Sequence, residues 1–62
     1  MISVANLTDE MILQEYRRAL RDNDWDYYVT TQIALGYRRA KKVGHKKACR
    51  ELIVAVINAR KP

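Results

Sequence analysis

The sequence predicts an all-α protein, an antiparallel helical hairpin followed by a third, apolar C-terminal helix, and three observations carry the prediction. Apolar residues recur at three- and four-residue spacing from Ile12 onward, the period of a helix with one buried face. Residues that cap helices, Thr8 and Asp24, stand at the start of the first two such stretches. The last stretch, Lys46 to Ala59, is longer than a strand, contains Ala48, Ala55 and Ala59, and has no strand to pair with.

The first helix is signalled at Thr8, a hydroxyl cap followed by Asp9 and Glu10 where the helix dipole is positive. Leu7 and Ile12 occupy the two positions of a hydrophobic staple. Ile12, Leu13, Tyr16, Ala19 and Leu20 then mark the buried face of about four turns, while Glu10, Gln14, Arg17, Arg18 and Arg21 fall largely on the other side. Asp22, Asn23 and Asp24 are turn formers that bond their own backbone, and Asp24 caps the second helix with Asp26 in its first turn. On this helix Trp25, Tyr28, Val29, Ile33, Gly36, Ala40 and Val43 mark one face. Gly36 inside a helix costs about 1 kcal/mol relative to alanine, so it implies a close approach of another helix, and Gly44 reads as the glycine that ends the element. The third segment contains the run Leu52 to Ile57, apolar all round and β-branched. A chain this short buries only about 60% of the surface its unfolded form exposes. The run therefore either lies in the groove of the hairpin or joins two copies through Leu52, Ile53 and Val56.

Sixty-two residues make one small domain spanning 1–62. A single cysteine forms no internal disulfide, and a six-residue apolar run is far short of the ~20 residues that cross a bilayer. The expectation is a cytoplasmic chain with no membrane partner. The formal net charge is +5, but it is unevenly placed. Three arginines and six carboxylates give −3 over residues 1–26, whereas nine basic residues against Glu51 alone give +8 over residues 27–62. Arg38, Arg39, Lys41, Lys42, Lys46, Lys47 and Arg50 form the densest stretch, with no acid among them.

Catalysis has little to work with. His45 and Cys49 lie four apart, half of a tetrahedral zinc site or a nucleophile and its base, yet no other His or Cys completes either constellation, and the flanking lysines only lower the thiol pKa. No glycine loop, paired-carboxylate site or cofactor fingerprint is present, so the prediction is a non-enzyme with no metal and no cofactor. Tyr27 and Tyr37 fall off the core face that Trp25 and Tyr28 mark. They are the candidate partner-binding aromatics, together with Arg17, Arg21, Arg38 and Arg39. Lys41, Lys42, Lys46, Lys47 and Arg50 are the candidates for an alternative reading, a small DNA- or RNA-binding protein. In it Ala40 and Gly44 hold the small-residue and turn positions of a helix-turn-helix centred on Gly44.

Leu7-Thr8-Asp9-Glu10-Met11-Ile12, then Tyr16 and Ala19, then Arg38-Arg39 and Val43-Gly44-His45 follow the order of a known pattern. Over these residues the chain resembles the sporulation histidine-kinase inhibitors of the Sda family, very small helical hairpins with an L-S-D-E-L-L opening and a late R-R followed by L-G-H. The resemblance covers residues 7–45; the apolar segment from Lys46 onward is not part of the family pattern. It implies a protein without chemistry of its own that docks on the helical dimerisation and phosphotransfer domain of a sensor kinase and occludes it. Together these readings predict a regulatory inhibitor or modulator, the size of a checkpoint factor or a phage-encoded effector, whose partner offers an acidic helical surface.

Overall fold

A computed structural model of the chain describes residues 1–38 and 40–60. Among these it is all-α: a 3-10 turn at Val4–Asn6, then α1 (Asp9–Arg21), α2 (Trp25–Leu35) and α3 (Val43–Arg60). The molecule measures 35 × 27 × 16 Å. Its thinnest dimension is little more than one helix diameter of about 10–12 Å, so few side chains reach full burial.

The start of α1 forms as its residues dictate. Thr8 Oγ1 accepts from the Met11 amide, and Leu7 and Ile12 are both buried against the core. The turn between α1 and α2 is tighter than a loop. Asn23 adopts a left-handed backbone with φ 58°, its amide donates to the Leu20 carbonyl, and the Asp24 amide donates to the Ala19 carbonyl at 2.8 Å. This is the Schellman closure. Asp24 serves both helices, since its side chain accepts from the Tyr27 amide and caps α2.

The second helix ends earlier than expected. Rather than running on to Val43, α2 closes at Leu35, and Gly36 takes the left-handed conformation at φ 76°. The Gly36 amide donates to the Ile33 carbonyl and the Tyr37 amide to the Gln32 carbonyl, a second Schellman closure. Gly36 is therefore the terminating glycine, not a close-packing residue inside a helix. Gly44, expected to end α2, lies in the first turn of α3, and a Cβ there would meet nothing within 4 Å. Residues 37–42 continue a helical composition beyond Gly36, which is why the period ran past the true end.

The third segment is a helix, as its length predicted, and it begins three residues before Lys46. Its apolar run is not uniformly buried. Cys49, Ile53 and Val54 face the core, Val56 and Ile57 are half-buried against it, and Leu52 and Ala55 are exposed. Ile53 is fully buried within one chain, so it does not join Leu52 and Val56 in an interface between copies.

Polar ties complete the attachment of α3. Asn58 pairs with the Ile2 backbone, its Oδ1 accepting from the amide and its Nδ2 donating to the carbonyl, both at 2.9 Å. Arg50 donates to the Leu7 carbonyl at 2.6 Å and to Asp9 at 3.2 Å. Arg60 pairs with the nearly buried Glu15 of α1. Ile53→Ala leaves a void where no surface group can relax inward and is expected to cost about 2–5 kcal/mol. Leu52→Ala, at the first and exposed residue of the same apolar run, should cost less than about 1 kcal/mol; urea denaturation of both variants checks the contrast.

Candidate functional site

Two surfaces remain after the core and its ties are accounted for. The first lies along the hairpin. At roughly 100° per residue, Tyr27, Thr31 and Ala34 form one stripe of α2, and these three are its buried residues. Tyr28, Gln32 and Trp25 stand roughly a quarter to nearly half of a turn away. Trp25 is 58% exposed and sits edge-on to Tyr28, with ring centroids 5.5 Å apart and planes at 73°. Tyr28 in turn meets Tyr16 of α1 at a centroid distance of 4.6 Å. Their hydroxyls share a 2.8 Å hydrogen bond, and Gln32 Nε2 donates to the Tyr28 hydroxyl at 3.1 Å. That bond to Tyr16 and partial desolvation raise the Tyr28 pKa above the usual phenol value, while Arg38 opposes them. Leu20, 45% exposed, extends the strip on α1, and Arg17 and Arg21 follow on its exposed side.

The expected aromatic assignments are exchanged. Trp25, read as core, is largely exposed, and Tyr27, read as an exposed partner anchor, is 7% exposed and part of the core. The buried stripe contains a threonine, whose Oγ1 is satisfied by the Tyr28 carbonyl at 2.7 Å. A polar side chain that bonds its own helix is inexpensive to bury, and hydrophobic counting passes over it. Tyr37, at 72%, is exposed as expected, and so are Arg17, Arg21 and Arg38; Arg39 lies outside the described residues.

The second surface is the basic end. Arg38, Lys41, Lys42, His45, Lys46 and Lys47 are exposed across the α2–α3 connection and the first turns of α3, and among the described residues none of them enters an ion pair. Arg50 does not belong with them. It is half-buried and committed to Leu7 and Asp9. The helix-turn-helix of the alternative reading, centred on Gly44, is not formed among the described residues, because α2 ends at Leu35, α3 begins at Val43 and Gly44 is helical; the motif's turn has only 3–4 residues.

One polar meeting point went unread in the sequence. Glu15 of α1, Tyr27 of α2 and Arg60 of α3 converge, with the Arg60 guanidinium carbon 5.8 Å from the Tyr27 ring centroid. Glu15 and Arg60, with Arg18 and Ile57, line a cleft of about 260 Å³. Glu15 and Arg60 are paired, and the cleft is open to solvent. Among the described residues the Tyr27 hydroxyl is buried without a hydrogen-bond partner. Burial and then the negative charge of Glu15 push its pKa well above the ordinary phenol range, against the pull of Arg60. The only sequence signal for this site was a lone acid, Glu15, on the face of α1 that carries Ile12 and Ala19.

His45 and Cys49 share α3 but not an environment, since His45 is exposed and Cys49 buried. Burial raises the Cys49 pKa, opposite to the lowering expected from its lysine neighbours. Among the described residues no three His, Cys, Asp or Glu side chains gather as a metal site requires, and no helix is long and apolar enough to cross a membrane. The chain matches no protein-family model, no curated protein and no solved structure.

Unfolded tyrosine ionises near pH ~10, whereas Tyr27 keeps its proton above that. Its contribution to stability is therefore fully present below pH ~10 and declines as pH rises further, by up to about 1.4 kcal/mol per unit. Tyr27→Phe removes this decline and, because the hydroxyl has no partner, should leave stability at neutral pH within about 1 kcal/mol of the parent. Urea melts from neutral pH to pH ~11 read both effects.

Proposed function

We propose that this protein is a non-enzymatic regulatory module that docks on an acidic helical surface of a partner protein through the aromatic strip of its hairpin and modulates that partner by occlusion. The exposure of Trp25 carries the reading. A tryptophan more than half exposed at the end of a contiguous aromatic row, Trp25–Tyr28–Tyr16, is held edge-on by its neighbour while most of it stays open to solvent. Anchors of this kind dominate binding energy, because a rigid aromatic loses little freedom when it is covered. Leu20 adds apolar area, and Arg17, Arg21 and Arg38 rim the strip with one sign of charge. Such a rim speeds encounter with an acidic face and disfavours a basic one. The scarcity of chemically active side chains supports binding over catalysis. The resemblance to the Sda family, over residues 7–45, makes a sensor histidine kinase the first partner class to try, and the size suits a phage-encoded effector.

The test is capture from nuclease-treated extract of the source cell, comparing the parent chain with Trp25→Ala combined with Arg17→Glu. Both positions are exposed, so the variant should keep the parent thermal midpoint within a few degrees. Loss of a hot-spot aromatic of about 2 kcal/mol predicts roughly a thirtyfold weaker complex. A partner retained at full strength by this variant assigns docking to another face.

A further inference from the structure

Beyond the hairpin strip, we propose that the basic end formed by the α2–α3 connection and the start of α3 binds the phosphate backbone of single-stranded nucleic acid, with Tyr37 stacking on an unpaired base. The two surfaces are distinct. The eleven residues of α2 place Trp25 at one end of the helix and Gly36 at the other, about 16 Å apart at 1.5 Å per residue.

Two cations of α3 tie the fold together: Arg50 holds the Leu7 carbonyl and Asp9, and Arg60 holds Glu15, whereas Arg17 and Arg18 stand exposed on α1 beside one another without forming a larger cluster. Among the described residues Lys41, Lys42, Lys46 and Lys47 make no such tie, and all four are exposed. Their position is electrostatically adverse in the free chain. The first turn of α3 contains no acid, and the positive end of its dipole adds to the lysine charges instead of opposing them. Lys46 Nζ lies 3.3 Å from where a Cβ on Gly36 would stand, so this lysine reaches back across the connection and brings the two halves of the patch together. An extended polyanion neutralises the whole group at once and releases counterions as it binds.

Tyr37 selects the strand type. It is 72% exposed at the edge of the patch, and base stacking on an exposed ring needs an unpaired base. The absence of a helix-turn-helix around Gly44 removes the device by which such a small helical protein would insert a helix into a duplex groove.

Fluorescence anisotropy of the full chain with a fluorescein-labelled 15-mer oligothymidylate, titrated between low and moderate NaCl, tests the assignment. Four phosphate contacts predict a slope of log K against log salt near about −3, at roughly 0.7 per contact on single strands. Lys46→Gln with Lys47→Gln should make that slope shallower by about 1.4. Tyr37→Ala should weaken binding about tenfold with the slope unchanged, and an abasic oligomer of equal length should bind parent and Tyr37→Ala alike. Trp25→Ala should bind like the parent, which separates this surface from the docking strip. The proposal is overturned by no anisotropy change at low salt, by equal affinity for the duplex, for polyglutamate or for phosphatidylserine vesicles, or by a slope that ignores the two lysine substitutions.

Discussion

The architecture turns on the backbone of Gly36. Its φ of 76° closes α2 after three turns, sends the chain back through the connection, and lets α3 lie against α2 instead of extending it. A side chain in this conformation would cost about 1–2 kcal/mol through contact of its Cβ with the following carbonyl, and it would also meet the Lys46 amine. The same closure occurs at Asn23, where a short amide side chain tolerates the left-handed region. Two Schellman turns thus set the path of three helices. In the first, Asp24 closes one helix and caps the next within a single residue, which leaves the hairpin little freedom in its crossing.

Once the turns are set, the remaining difficulty is a molecule too thin to bury much. Few side chains are fully enclosed, the largest being Ile12, Ile53 and Thr31. The fold compensates with side chains that reach across elements to satisfy backbone groups. Asn58 takes both hydrogen bonds of Ile2, and Arg50 takes the carbonyl of Leu7, the residue just before the α1 cap. Hydrogen bonds that involve a charged donor contribute about 1.5–3 kcal/mol, comparable to burying a leucine at about 1.5–3 kcal/mol. In so small a core, a few such ties carry weight that apolar area carries in larger domains.

Much of this was legible in the residues. Thr8, Asp24 and the Leu7–Ile12 staple declared themselves because capping is a local matter between neighbours in sequence. The end of α2 did not, since Gly36 is followed by Tyr37, Arg38, Ala40, Lys41 and Lys42, residues that favour a helix, and only the tertiary demand to turn α3 back decides between Gly36 and Gly44. The aromatic exchange has a similar cause. α2 carries apolar side chains on more than one face, so its period could not say which face meets both neighbours; that choice fell to Tyr27, Thr31 and Ala34, and Trp25 was left outside. Arg50 and Glu15 were unreadable as structural residues because their partners lie 43 and 45 positions away. The candidate surfaces were half-legible for the same reason: which charges lay in the basic end followed from composition, but which of them the fold had already engaged did not.

That distinction between engaged and unengaged charge gives the division of the chain into an acidic start and a basic remainder its physical meaning. Four of the six acids in residues 1–26 lie where helices want them. Asp9 and Glu10 sit in the first turn of α1, Asp26 in the first turn of α2, and Asp24 is the cap itself. Each faces a positive helix end and the free amides there, so the negative charge is absorbed by the backbone. Arg18 and Arg21 similarly suit the negative end of α1. The lysines at the start of α3 are placed the other way, same sign on same sign, where replacing them by acids would favour the helix. A folding argument therefore accounts for Asp9, Glu10, Asp24 and Asp26 at helix starts and for Glu15, Arg50 and Arg60 through their ties, and leaves the lysines at the start of α3 unexplained. The two surfaces that folding does not explain, an open tryptophan and a set of misplaced lysines, stand at opposite ends of the same short helix.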